Sequence, residues 1–190
     1  MGKNNQIAVT IWFTGLSASG KSTLSQSLYD ELIKQGIDNV VLLDGETIRD
    51  QLKNYNYDTK DRNAIGIQKS KIALKYIGKG KHVIITGIAH HKKTRDEIRN
   101  MFPYYYEVYL KCNVEECLKR DFKGNYEKAF NGVYDNFIGV TEKYEESNPE
   151  LIVETGKYTI AQCVTRISKS VIEYINMLSK KGGTSEMVIN

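Results

Sequence analysis

Ile7-Ala8-Val9-Thr10-Ile11-Trp12-Phe13 leads through Thr14 into Gly15-Leu16-Ser17-Ala18-Ser19-Gly20-Lys21-Ser22-Thr23. A continuous apolar run suits a strand buried on both faces. The small, lysine-tipped segment after it keeps the spacing of a phosphate-binding loop, Gly15-x4-Gly20-Lys21-Ser22. Glycines let backbone N–H groups turn inward around phosphate oxygens. A helix starting near Ser22 adds the positive end of its dipole. Lys21 is placed to reach the β and γ phosphates, and the Ser22 hydroxyl to ligate Mg²⁺. Gly15, Ser17, Ser19, Gly20, Lys21, Ser22 and Thr23 are therefore the candidate ATP contacts.

Outward from this loop, segments of strand and helix character alternate. Ile7–Phe13 reads as a strand and Ser22–Gln35 as a helix, with Leu24, Leu28 and Leu32 at period four and Gly36 as its stop. Val40–Leu43 is a second strand. Ala64–Ile77 is helical, His82–Ile88 a third strand, and Lys92–Asn100 a polar helix. Tyr105–Leu110, Val114–Phe122 and Leu151–Val153 give strand, helix, strand. Ile160, Val164, Ile167, Val171, Ile175 and Leu178 mark one face of a last helix. Residues 123–148 lack a period and are read as a mobile lobe. Residues 1–5 and the polar stretch from Lys180 onward read as loose ends. The alternation predicts an α/β three-layer sandwich of the P-loop NTPase type, a five-stranded parallel sheet with helices on both faces and a mobile lid. One P-loop domain is expected over 1–190, with its core at about 6–180, a lid at about 123–148 and a tail at 181–190. Ligands of such sheets bind at the carboxyl ends of the strands.

The 190 residues suit one domain. With 41% hydrophobic and 26% charged residues, a soluble globular protein is expected. The net charge of +4, from 27 basic and 23 acidic side chains, is interspersed, so a nucleic-acid surface is not expected. Cys112, Cys117 and Cys163 show no metal or disulfide spacing. No apolar run approaches a membrane span and no leader is evident, so a cytoplasmic location is expected.

The fate of the phosphate is suggested by the turn after the second strand, Leu43-Asp44-Gly45-Glu46-Thr47-Ile48-Arg49. There is no guanine-reading NKxD motif, and the third strand ends without an aspartate. Of Asp44 and Glu46, one carboxylate can serve Mg²⁺ and the other can take the proton of an attacking hydroxyl. Lys21, Asp44 and Glu46 are the catalytic candidates, with Ser22 and Asp44 for the metal. Arg49 can hold an anionic acceptor.

These segments together resemble the adenylylsulfate (APS) kinase family from about Val9 to Gly156. The loop and LDGETIR resemble its P-loop and LDGDNVR. Asp61-Arg62, Arg120-Asp121, Lys123-Gly124-x-Tyr126, Phe137-x-Gly139 and Asn148–Gly156 resemble its later motifs in order. The resemblance implies ATP and Mg²⁺, transfer of the γ-phosphoryl group to the ribose 3′-hydroxyl of APS, and a homodimer. It puts Arg120 against the adenine and Lys123 in a lid, and Arg49, Arg62, Ile88, Lys92 and Phe137 beside the acceptor.

Every departure from the family pattern falls on the acceptor side. The family's xENIRR is Asn63-Ala64-Ile65-Gly66-Ile67-Gln68, so an Asn and an Arg become Ile65 and Ile67. Its ISPYR is Ile88-Ala89-His90-His91-Lys92, so its serine becomes Ala89, and direct in-line transfer is the expectation. Its KGFTG is Asp135-Asn136-Phe137-Ile138-Gly139. An altered pocket beside an intact ATP loop points to a related acceptor. The alternative is cytidine diphosphoramidate, which kinases of this family phosphorylate at the ribose 3′-hydroxyl in capsule modification. His90 to Lys93 could grip an anion or simply begin a helix. His82 and Trp12 read as structural, and of Tyr104, Tyr105 and Tyr106 at least one ring is expected in the core and one at the surface.

Overall fold

The computed structural model describes residues 7–45, 48 and 59–184. Five strands, β1 (Thr10–Thr14), β2 (Val40–Leu43), β3 (His82–Thr86), β4 (Tyr105–Lys111) and β5 (Leu151–Glu154), form one sheet in the order β2-β3-β1-β4-β5. All pairings are parallel; Ile11 aligns with Ile84 of β3 on one side and Tyr106 of β4 on the other.

Helices α1 (Lys21–Lys34) and α6 (Ile160–Thr184) cover one face, and α2 (Thr59–Ile77) and α3 (Lys92–Arg99) the other. The side-chain alternation of a strand divides the core accordingly. Ile11, Phe13, Tyr106 and Leu110 pack with Leu24, Leu28, Leu32, Ile167 and Val171. Trp12, Val83, Ile85 and Tyr105 pack with Ala73, Ile98 and Phe102. Helix α1 ends where expected, at Gln35, followed by Gly36 in the left-handed conformation. Trp12 is wholly buried, and Gly87 must lack a side chain because a Cβ there would stand 2.8 Å from the indole. His82 is structural as expected, its Nδ1 accepting the Val9 N–H at 3.1 Å.

Several expectations need correction. Strand β1 begins at Thr10 and β3 ends at Thr86, although the Val9 carbonyl still accepts the Val83 N–H at 2.9 Å and the Gly87 N–H still donates to the Phe13 carbonyl at 3.0 Å. Helix α2 begins earlier than Ala64. Tyr105 and Tyr106 are both buried, one on each face, because β4 is covered on both. On α6 the inner stripe begins at Cys163 rather than at Ile160, which keeps the helical period but, as the first residue of the helix, lies beyond the covered part of the face and is 60% exposed. The helix also runs on to Thr184, since Gly182-Gly183 weakens a helix without forbidding it. Helix α4 (Val114–Lys119) ends before the expected Phe122, and within 123–148 there is regular structure, α5 (Asn125–Phe130). The Asp121 carboxylate accepts the Tyr126 N–H at 2.6 Å and so satisfies a donor of the first turn. Residues 1–6 and 185–190 lie outside the described residues.

Because α1 and α3 leave β1 and β3 toward opposite faces, a crevice opens at the carboxyl ends of these neighbouring strands. The loops at 15–20, 44–45 and 87–91 meet there.

Candidate active site

The loop between β1 and α1 has the backbone that its glycines allow. Gly15 (φ 140°), Ala18 (φ 56°) and Gly20 (φ 98°) all have positive φ. Gly15 is required, because a Cβ there would lie 2.6 Å from the Leu110 carbonyl oxygen. The Lys21 ammonium donates to the carbonyls of Gly15 (3.1 Å) and Leu16 (2.5 Å), and so lies across the loop. Ser19 is fully buried, whereas Thr23 is exposed on the first turn of α1. The Ser17 carbonyl accepts the Tyr126 hydroxyl at 3.1 Å.

At the end of β2 the Asp44 Oδ1 accepts two hydroxyls, Ser22 Oγ and Thr86 Oγ1, each at 3.0 Å. Thr86 Oγ1 also accepts the Gly45 N–H at 2.8 Å. This carboxylate is thus oriented by α1 and β3 at once and points toward the phosphate loop. A hydroxyl and a carboxylate oxygen side by side are the hard donors Mg²⁺ takes when water and phosphate fill its other positions. Among the described residues no group of three or more His, Cys, Asp or Glu could hold a metal without such help. Glu46 and Arg49 lie outside the described residues.

The third-strand loop is held open by strain and burial. Ala89 sits at φ 41°, a conformation costly for any residue with a side chain. Its carbonyl accepts from Arg95 Nη1 at 2.5 Å. Ile88, half-buried, accepts the Thr14 hydroxyl on its carbonyl. His90 is fully buried beside Glu142, Nε2 and Oε2 being 2.8 Å apart without the alignment of a hydrogen bond, and Arg62 Nη1 stands 3.7 Å from the same oxygen. Burial first, and then the neighbouring His91, push the His90 pKa down to about 4, so the ring is neutral at pH 7. His91 is half exposed and pairs with Glu145, which also accepts the Lys92 N–H at 2.7 Å; the Lys92 ammonium is on the surface, paired with Asp96. The four-residue basic run therefore divides, His90 inward and Lys92 outward.

On the far side, Arg120 is held between Glu116 Oε1 (3.0 Å from Nε) and the Thr155 carbonyl (2.9 Å from Nη2), tying α4 to the end of β5. Lys123 is exposed, 5.8 Å above the Phe122 ring. Phe137 is half-buried, edge-on to Tyr126 (4.8 Å) and stacked with Tyr134 (5.9 Å). Its ring is already part of a small cluster with Leu16, Cys117 and Ile138, which seats the 125–140 segment on the phosphate loop. Gly15 to Thr23, Asp44, Ile88 and Arg62 thus meet at the crevice, with Phe137 near the phosphate loop, and Lys92 does not share it.

Two groups escaped sequence reasoning. Lys69, almost fully buried on α2, donates to the Thr86 carbonyl at 3.0 Å. The only sequence signal for it was its place seven residues after Arg62, on the same helical face. Arg95, also buried, stands 3.5 Å from buried Glu107, and its guanidinium donates to the Glu145 carbonyl and lies over Tyr144. It fastens the 144–147 segment across the carboxyl edge of the sheet.

The adenylylsulphate kinase family model matches residues 7–154. This chain belongs to the adenylylsulphate kinase family. It is accordingly a phosphotransferase acting on a hydroxyl group. It is similar to the cytidine diphosphoramidate kinase of Campylobacter jejuni, 36% identical over 80% of this chain and 87% of that one. It is similar also to the adenylyl-sulfate kinase of Staphylococcus epidermidis, 37% identical over 90% of this chain and 88% of that one. Among solved structures it is similar to the Mycobacterium tuberculosis APS kinase in complex with AMPPNP and APS. That structure is 27% identical, with a TM-score of 0.80 over 86% of this chain and 97% of the other. Membership in the adenylylsulphate kinase family covers both faces of the crevice, since the matched span includes the loop, the DG turn and the third-strand loop. No described helix is long and apolar enough to cross a membrane.

Proposed function

We propose that this protein transfers the γ-phosphoryl group of ATP, with Mg²⁺, to the ribose 3′-hydroxyl of a modified nucleotide, and that APS is its acceptor. The observation that carries this is the Ser22–Asp44 pair at 3.0 Å beside the phosphate loop, in a chain of a hydroxyl-phosphorylating family. Gly15, Ser17, Ser19, Gly20 and Thr23 form the loop that holds the phosphates, and Lys21 neutralises the β and γ groups. Ser22 and Asp44 would hold Mg²⁺, which offsets charge on the transferring phosphoryl group. As the hydroxyl attacks phosphorus the bond to the β-phosphate oxygen breaks, ADP leaves, and the hydroxyl proton passes to a carboxylate of Asp44 or Glu46. Arg120 rests against the adenine, and Lys123 belongs to a lid that excludes water. Arg49, Arg62, Ile88 and Phe137 bind the acceptor, and Lys92, paired with Asp96 at the surface, is left out of that set.

Cytidine diphosphoramidate is the second acceptor we propose. It is favoured by Ile65, fully buried, and Ile67, packed into the apolar cluster around Trp12, which leave two family polar positions without polar groups. The likeness to the C. jejuni enzyme supports it equally. Homodimerisation rests on the family likeness. A cytoplasmic location fits three buried, unbridged cysteines.

Parallel reactions of ATP with APS and with cytidine diphosphoramidate, followed by ³¹P NMR, test the proposal. A new 3′-phosphomonoester on APS is the expected result. Product from the cytidine compound alone transfers the function to the second acceptor, and no product from either overturns both.

A further inference from the structure

Lys69 stands behind the metal-facing turn rather than in it. Its residue is 4% exposed, and its ammonium donates to the carbonyl oxygen of Thr86 at 3.0 Å. The same threonine uses its hydroxyl to receive the Gly45 N–H at 2.8 Å and to donate to Asp44 Oδ1 at 3.0 Å. That oxygen also receives the Ser22 hydroxyl. The ammonium lies so close to the turn that a Cβ on residue 45 would stand 2.7 Å from it. Gly45 is therefore a residue without a side chain at the point where the buried cation approaches the backbone next to Asp44.

A buried ammonium is costly. A methionine or leucine on the same helical face would cover the ends of β2 and β3 without that cost. The charge is placed where it holds Thr86, and through that residue the orientation of the neighbouring carboxylate. Groups that orient a metal-holding carboxylate affect metal affinity nearly as strongly as the ligands themselves. We propose that Lys69 is a positioning residue, which through Thr86 and the Gly45 backbone sets the Asp44 carboxylate for Mg²⁺-nucleotide binding. The proposal rests on the reading of Ser22 and Asp44 as the metal-holding pair.

The test is calorimetric titration of the full chain with ADP, with and without Mg²⁺, alongside thermal unfolding. In K69M the affinity for Mg²⁺-ADP is expected to fall about tenfold, while metal-free ADP binds within about twofold of the unaltered protein. G45A, whose methyl group would stand 2.7 Å from the ammonium and 3.0 Å from the Thr86 carbonyl oxygen that receives it, and so separate the two without removing the charge, is expected to show the same selective loss, and it keeps the proposal testable if K69M does not fold. K69R, which retains the charge, is expected to recover part of the loss. Mg²⁺-ADP affinity unchanged in a folded K69M, or an equal loss with and without metal, overturns the proposal and leaves Lys69 as a structural tie between α2 and β3. The same follows if the unaltered protein binds ADP no better with Mg²⁺. A protein that behaves as expected here yet phosphorylates neither acceptor overturns the proposed acceptors and not the role of Lys69.

Discussion

The hydroxyl of Tyr126 donates to the carbonyl of Ser17, 109 residues earlier in the chain, at 3.1 Å. Tyr126 is in the first turn of α5 and Ser17 is in the phosphate loop, so one bond joins α5 to that loop. The Tyr126 ring is wholly buried. Burial first, and then the neighbouring Cys117 thiol, hold the phenol protonated and keep it a donor.

Y126F removes that bond and leaves the packing of the ring in place. It is expected to lower stability by about 1 kcal/mol and the melting temperature by roughly 2–4 °C, with a raised KM for ATP. Calorimetry and initial-rate kinetics read both effects. A raised KM for the acceptor with that for ATP unmoved would show that the bond serves the other half of the crevice.

Lys21 is the one side chain in the loop able to neutralise a transferring phosphoryl group. K21M is expected to lower kcat/KM by about 10²-fold or more while the circular dichroism of the folded protein is retained. Residual activity within about tenfold of the unaltered enzyme would remove Lys21 from its proposed role.

Arg95 and Glu107 are both buried, 3.5 Å apart, and Ser147 donates to the Glu107 Oε1 at 2.6 Å. R95M leaves the Glu107 charge with less compensation and is expected to cost about 3–5 kcal/mol, read as a fall in melting temperature. R95M/E107L together are expected to cost less than R95M alone, because no buried charge is then stranded. A double variant as unstable as the sum of the single ones would contradict the pairing.

His90 gives the protein a pH-dependent stability whose sign is fixed. Its folded-state pKa is lowered from 6.5 to about 4 by burial and by His91, with Arg62 acting in the same direction and Glu142 and Glu145 against. Below pH 6.5 the unfolded chain takes up the proton more readily than the folded one. The stability held above pH 6.5 is therefore lost as pH falls toward 4, and H90Q is expected to flatten that part of the profile. Denaturant unfolding at several pH values measures it, and parallel profiles for the two proteins would mean that His90 does not carry the effect.

Much of the fold was legible in the chain because its signals are local. The apolar run before Gly15, the period-four leucines of α1 and the run at Val40–Leu43 each depend on neighbours within a few residues. They lie within one or a few residues of the elements they predicted. The ladder of strand and helix then leaves few topologies for a parallel sheet. The phosphate loop was legible for the same reason, since its geometry is written in consecutive residues, with Gly15 and Gly20 at positive φ. The short helix at Asn125–Phe130 was not, because its support comes from contacts with Leu16 and Cys117 rather than from its own pattern.

What the sequence by itself determined is the alternation of elements, the phosphate loop and the carboxylate turn that follows β2. Only the tertiary structure decided which charges are buried and what they hold. Lys69 and Arg95 carry no sign of burial in the sequence, because spacing along one helix does not say which face a second element will cover. Their roles follow from β3, β4 and the 144–147 segment closing over them, with partners 17 residues away for Lys69 and 50 for Arg95. The same holds for His90, whose four-residue basic run looks uniform in the chain. The run is divided between core and solvent only when the left-handed turn at Ala89 sends one ring inward and the next outward.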